Sequence, residues 1–146
     1  MLKNELLSSR MKSFFTDGAC LNNPGKGAYA WISESCSSWG VSPVYEFTTN
    51  NRMEMLGVLS VLRICVAKKI RRVRIYTDSR YLTEGLHTWS KKWGPRKQVK
   101  NIDLWNGIFI LKKLLDLQLI WVKGHGISKQ NHLVHNLCHN KVRGVA

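Results

Sequence analysis

The apolar residues of this chain change their spacing at Asn50, and this change constrains the fold more than any other feature of the sequence. Before Asn50 the pattern is that of strands at residues 11–16, 28–33 and 39–47, separated by turn-forming residues such as those of CLNNPGKG. Three consecutive strands joined in this way predict an antiparallel meander. Pro43, which has no backbone N–H, predicts a bulge or an edge position in the third strand.

From Asn50 onwards apolar residues recur at helical spacing, and Asn50 or Asn51 is the predicted N-cap. The rest of the chain alternates between the two patterns. It predicts a strand at 73–77, helices at 79–89 and 101–115, a strand at 117–123 and a last helix at 131–143. The order βββαβααβα indicates an α/β fold, in which helices pack on a mixed sheet.

A chain of 146 residues fits one domain, which we place at residues 12–143, after an N-terminal extension (1–11) and before a C-terminal tail (144–146). No stretch approaches the roughly 20 apolar residues of a membrane span. Scattered cysteines without metal-ligand spacing favour reduced thiols. We therefore expect a cytoplasmic protein without a membrane partner, and a monomer as the default.

The charge balance indicates a polyanionic partner. Twenty-three Lys and Arg face nine Asp and Glu, which gives a formal net charge of +14. Such a surplus raises the local concentration of polyanions and speeds their capture. Nucleic acid is the first candidate, and an anionic membrane surface is the weaker one.

Three of the few acidic residues stand at positions where ligand sites form. Asp17 and Asp78 each end a predicted strand, and Glu54 lies one turn into the first helix. Strand-end carboxylates of an α/β sheet face the ligand crevice, so these groups could converge. Together they would repel one another unless a divalent cation neutralised them, and oxygen ligands suit Mg²⁺ or Mn²⁺. Taken singly, each acid also fits a turn or a helix cap.

Five segments of the chain resemble the type I ribonuclease H family, in the family's order and over nearly the whole chain. They are FTDGACLNNPGKGAYAWI, TTNNRMEML, IYTDSRYL, KNIDLW and WVKGHG. The resemblance implies a five-stranded mixed sheet whose first three strands are antiparallel, in agreement with the order derived from periodicity. It also implies endonucleolytic hydrolysis of the RNA strand of RNA–DNA hybrids, which leaves 5′-phosphate and 3′-hydroxyl ends.

The same resemblance assigns catalytic roles. It implies that Asp17, Glu54 and Asp78 bind two Mg²⁺ ions, for which Mn²⁺ is the expected substitute, and two-metal sites of this kind suit in-line displacement at phosphorus. His125, in the GHG segment, matches the family histidine that assists proton transfer or product departure.

The last helix departs from the family pattern N-x-x-x-D-x-L-A. Asn131 and Leu137 keep the register, so His135 stands where the family has its fourth carboxylate. Three interpretations remain open: a substitute ligand or water-orienting base, a bystander, or the mark of an impaired enzyme. We favour the first, which predicts weaker Mg²⁺ binding and a relative gain with Mn²⁺. His132 and His139 are interpreted as surface residues.

The resemblance also implies a substrate-binding set with three parts: groups at the minor groove, a phosphate pocket, and tryptophans among lysines. Its members are Cys20 (through its backbone), Asn23, Thr49, Asn50, Asn51, Arg80, Trp89, Trp93, Asn101 and Asn131. Trp105 and Trp121 are predicted to be core residues. Two alternatives remain, a catalytically impaired hybrid-binding module and another nuclease of the same fold.

Overall fold

The computed structural model describes residues 10–92, 100–123 and 128–145, with only the backbone described for residues 89–92. Within these ranges lie six strands and four helices. They are β1 (Met11–Cys20), β2 (Gly25–Ser33), β3 (Trp39–Val41), β4 (Tyr45–Thr48), α1 (Asn50–Ala67), β5 (Arg72–Thr77), α2 (Arg80–Lys92), α3 (Ile102–Lys112), β6 (Asp116–Trp121) and α4 (Lys129–Arg143).

The strands form one mixed sheet in the order β3-β2-β1-β5-β6, and β4 pairs with β2 beside β3. The pairs that β2 forms with β1, β3 and β4 are antiparallel, whereas β1–β5 and β5–β6 are parallel. The predicted α/β class and mixed sheet are confirmed.

Helices cover both faces of the sheet. Adjacent residues of a strand point to opposite sides, so neighbouring apolar residues of β1 belong to different cores. Phe14 belongs to the core that α1 and α3 form on one face, with Trp105 fully buried in it. Phe15 belongs to a smaller core on the other face, where α4 supplies Val134 and Cys138. Because helices pack against both sides of β1, this central strand, which carries Asp17, is held firmly. None of the helices in the described ranges has the length and apolarity to cross a bilayer.

The third predicted strand is two short strands. Ser42, between β3 and β4, donates its N–H to the Tyr29 carbonyl, and its Oγ accepts the Tyr29 N–H at 2.9 Å. The same hydroxyl donates to the Pro43 carbonyl at 2.8 Å. These side-chain bonds replace part of the regular ladder where proline has no N–H to offer. The predicted irregularity at Pro43 is therefore a complete break between two strands.

The N-cap of α1 is Thr49, so the predicted cap at Asn50 or Asn51 is wrong by one or two residues. Thr49 Oγ1 accepts the N–H of Arg52 at 3.2 Å. The N–H of Asn50 is held instead by Asn23 Oδ1, at 2.9 Å. The turn between β1 and β2 thus ties down the beginning of the helix that carries Glu54.

Candidate active site

Asp17 and Asp78 lie side by side where the parallel pairing of β1 with β5 ends. The prediction that Asp17 ends the first strand is wrong by three residues, because antiparallel pairing with β2 continues β1 to Cys20. β1 pairs with β5 so that Phe15 stands opposite Tyr76. Extending this register by two residues brings Asp17 opposite Asp78. The carboxyl edge of parallel strands is where α/β sheets form their ligand crevices. Asp17 is almost fully buried there, with 6% of its surface exposed.

Glu54 reaches the same place from α1, because the helix lies unusually close to β1. A Cβ atom at Gly18 would stand 2.6 Å from the backbone nitrogen of Glu54, closer than real contacts allow. Only glycine permits this approach. Glu54 is 3% exposed, and ligand oxygens of Asp17, Glu54 and Asp78 lie within 4.8 Å of one another.

The electrostatics of this cluster fit a divalent cation. Burial raises the pKa of Glu54 well above its usual value, and the charges of Asp17 and Asp78 raise it further. Glu54 Oε2 is buried and finds no hydrogen-bond donor among the described residues. An unsatisfied buried carboxylate oxygen is costly, whereas a hard cation would satisfy it and favour the ionised form. An oxygen-only donor set suits Mg²⁺ or Mn²⁺.

A second group of possible ligands shares Asp17 with the first. His135 Nδ1, on α4, lies 3.1 Å from Asp17 Oδ2. One turn later on the helix, the ring of His139 stacks on that of His135, with centroids 3.8 Å apart. Ligand atoms of Asp17, His135 and His139 also lie within 4.8 Å of one another.

The predicted surface position is confirmed for His132 and wrong for His139. His132 is exposed, but His139 is half-buried and lines the cleft. Residues four apart on a helix share a face, so the place of His135 already predicted that of His139.

Part of the predicted substrate-binding set lines the cleft beside the acids. Cys20, Asn50, Asn51 and Arg80 surround it. Asn131 lines a small adjoining pocket together with Asp17, Asp78 and His135. A single open surface therefore contains amide, guanidinium, imidazole and carboxylate groups.

Three other predicted residues are not among those that line the cleft, and each has a structural partner. Asn23 and Thr49 hold the beginning of α1 as described above. Asn101 donates from Nδ2 to the Tyr81 hydroxyl at 3.1 Å. Their roles in binding stay predictions. His125 and Trp93 lie outside the described residues, and of Trp89 only the place of its backbone in α2 is described.

The prediction that Trp121 is a core residue is wrong. Its side chain is 37% exposed, and its ring lies under the Arg80 guanidinium at 4.6 Å from the centroid. Trp121 Nε1 donates to the backbone carbonyl of Asp78 at 3.1 Å. The residue therefore supports Asp78 and Arg80, which line the cleft, because β6 ends beside the end of β5. The prediction for Trp105, which is fully buried, is confirmed.

Comparison with known proteins agrees with this geometry. The family model described as RNase H matches residues 9–143. The chain is 37% identical to the ribonuclease H of Pseudoalteromonas translucida, over 84% of each chain. It is also 37% identical to the ribonuclease H of Methylobacillus flagellatus, over 93% of this chain and 94% of that one.

A solved structure shares the fold. LC9-RNase H1, described as a type 1 RNase H with the type 2 active-site motif, has a TM-score of 0.75 and 25% identity. The alignment covers 93% of this chain and 74% of that one. The sequence relatives and the fold lead to one conclusion: the chain is an enzyme of the ribonuclease H family.

Proposed function

We propose that this cleft hydrolyses the RNA strand of RNA–DNA hybrids endonucleolytically, in a catalytic domain that extends over residues 12–143. The convergence of three carboxylates from β1, α1 and the end of β5 carries the proposal. The names of the relatives support the substrate, since they are ribonucleases H. The net charge of +14 supports a polyanionic substrate.

Asp17, Glu54 and Asp78 would hold two Mg²⁺ ions, with Mn²⁺ as a substitute. A pair of divalent ions supplies a nucleophilic water and stabilises the departing 3′ oxygen, which accounts for 5′-phosphate and 3′-hydroxyl ends. The protein's part is to fix the carboxylates. Asp17 Oδ1 accepts the Gly18 N–H at 2.9 Å, and burial on both sides of β1 limits its movement.

Discrimination of RNA from DNA requires contact with the 2′-hydroxyl. Asn50 and Asn51 line the cleft, and their amides offer both a donor and an acceptor, as a hydroxyl does. Arg80 is held over Trp121 and carries a fixed positive charge at the cleft wall. A guanidinium in this position suits a phosphate or a sugar oxygen of the bound strand.

Cleavage of a labelled RNA–DNA hybrid tests the proposal. We expect Asp17→Asn to lower the rate by about a thousandfold or more, since metal-ion catalysis supplies several kcal/mol. Asp116→Asn is the matched control, because Asp116 begins β6 at the opposite end of the sheet. A parent protein that cuts duplex DNA as readily as the RNA of a hybrid would contradict the assignment.

We propose that His135 takes the place of the fourth carboxylate, as a ligand or a water-orienting base. Its distance of 3.1 Å from Asp17 Oδ2 supports this role. Imidazole suits transition ions better than Mg²⁺. We therefore expect His135→Asp to raise the ratio of Mg²⁺-supported to Mn²⁺-supported activity, and His135→Ala to lose activity with both ions. An alanine variant as active as the parent with both metals would rule out a working His135.

A further inference from the structure

We propose that Asp17, His135 and His139 form a nitrogen-rich site that binds a transition ion such as Zn²⁺ or Co²⁺ far more tightly than Mg²⁺. The inference deepens the proposed function, because the site shares Asp17 with the three-carboxylate cluster. It adds His139, which has no part in the fourth-carboxylate position, and assigns a metal class to this end of the cleft.

The geometry of the three donors is close to that of a bound ion. His135 Nδ1 and Asp17 Oδ2 are 3.1 Å apart, and two ligands about 2.1 Å from one ion are separated by about 2.9–3.4 Å. Donors of a single ion lie at most about 4.2 Å apart. Because all three residues offer ligand atoms within 4.8 Å, side-chain shifts of less than about an ångström would assemble the site.

The helix provides the histidine pair without strain. His135 and His139 are four residues apart on α4, so both project from one face, an arrangement that holds zinc in other proteins. Their rings already stack at 3.8 Å beside Asp17. α4 is capped at both ends, by the Ser128 hydroxyl and by Gly144 in the left-handed conformation.

The donor chemistry decides which ions are preferred. Two imidazoles and one carboxylate suit Zn²⁺, Co²⁺ and Ni²⁺, whereas Mg²⁺ prefers oxygen ligands and keeps several waters. His132 offers a matched comparison within the same helix. It is exposed, its Nε2 lies 3.3 Å from the amide nitrogen of Asn136, and it is not a member of the group that Asp17, His135 and His139 form.

Visible absorbance of Co²⁺ titrated into the metal-free full chain, prepared without a histidine tag, tests the site. We expect Co²⁺ to bind and to be displaced by Zn²⁺, but not by an equal concentration of Mg²⁺. His139→Ala and His139→Gln should each weaken Co²⁺ binding more than about tenfold, since even outer-shell partners of a metal contribute that much. His132→Ala should bind Co²⁺ as the parent does.

Co²⁺ binding that survives both His139 substitutions, or displacement by Mg²⁺ as easily as by Zn²⁺, would overturn the proposal. Thermal unfolding of the variants tests whether they are folded, and the glutamine variant keeps a polar side chain of similar size. Hybrid cleavage by the parent with Mg²⁺ reports separately on the proposed function. A parent that cuts hybrids but binds Co²⁺ independently of His139 would refute this inference alone.

Discussion

A bidentate ion pair between Arg52 and Asp103 joins α1 to α3. Arg52 Nη1 and Nη2 donate to the two carboxylate oxygens at 3.0 and 2.7 Å, and Nη1 also lies 3.3 Å from Asn101 Oδ1. This bidentate geometry is the strongest form of such a contact. The hydrogen bonds from Arg52 are the main reason that the pKa of Asp103 is lowered.

Asp103→Asn tests the contribution of this pair to stability. A lowered pKa means that Asp103 stabilises the fold above its unfolded pKa of about 3.9, and that this stabilisation is lost as the pH falls through the folded pKa. Because the Asp103 side chain is 61% exposed, we expect a loss of about 1 kcal/mol or less at neutral pH. Urea unfolding of parent and variant at neutral and at strongly acidic pH measures it. An equal difference at both pH values would contradict the ion-pair account.

The sequence predicts the structural environment of some residues better than that of others. The position of Asp78 follows from the end of β5, which the local pattern reveals, whereas pairing with β2 extends β1 three residues beyond Asp17. The environment of Trp121 does not follow from the local pattern, since it depends on a neighbouring strand and on Arg80, 41 positions earlier in the chain. The residues that precede Trp121 in the sequence are apolar, but its ring stacks against the Arg80 guanidinium.

At the level of elements, the contact of α1 with β1 decides where Glu54 stands. Gly18 is the point of closest approach, where an added Cβ would meet the Glu54 nitrogen at 2.6 Å and the Met53 carbonyl carbon at 2.7 Å. Both are backbone atoms, so neither can turn aside. The helix would have to move as a whole.

We expect Gly18→Ala to destabilise the protein by about 1–3 kcal/mol, as overpacking does, and to lower hybrid cleavage because Glu54 moves with the helix. Gly107→Ala is the control. Its Cβ would meet only the Leu59 methyl carbons at 3.3 and 3.4 Å, and alanine favours the α3 helix in which it lies. Thermal unfolding and cleavage rates measure both effects. A Gly18 variant as stable and active as the parent would contradict the close-packing argument.

The order of elements was predictable because apolar periodicity is local. The break between β3 and β4 was only partly predictable, since proline indicates an irregularity but the bonds of Ser42 to Tyr29 come from another strand. The prediction of the α1 N-cap is wrong for a similar reason. The N–H of Asn50 belongs to Asn23, 27 residues earlier, and no local pattern reports that contact.

Over the whole molecule, a strongly positive chain gathers three carboxylates into one cleft. The net charge of +14 favours polyanions in general, and the three acids keep a local negative potential that favours cations. The sequence shows the surplus of basic residues and the few acidic ones, but only the fold shows that three of the acids lie together in one cleft.

Hybrid affinity should therefore fall steeply with salt. Using Asp17→Asn to prevent cleavage, we expect the logarithm of the binding constant to fall with the logarithm of salt concentration at a slope steeper than about −3, as counterion release requires when several phosphates are contacted. Fluorescence anisotropy of a labelled hybrid measures the slope. Affinity that is insensitive to salt would show that backbone charge does not drive binding.

The break at Ser42 and Pro43 also interrupts one edge of the sheet. An uninterrupted edge presents a row of free N–H and C=O groups to which a foreign strand can add. On the side of β2 away from β1, the sheet ends in two short strands, three residues in β3 and four in β4. They pair with different parts of β2. Within the residues that the structure describes, this side of the sheet therefore offers no continuous edge to which a strand of another chain could add.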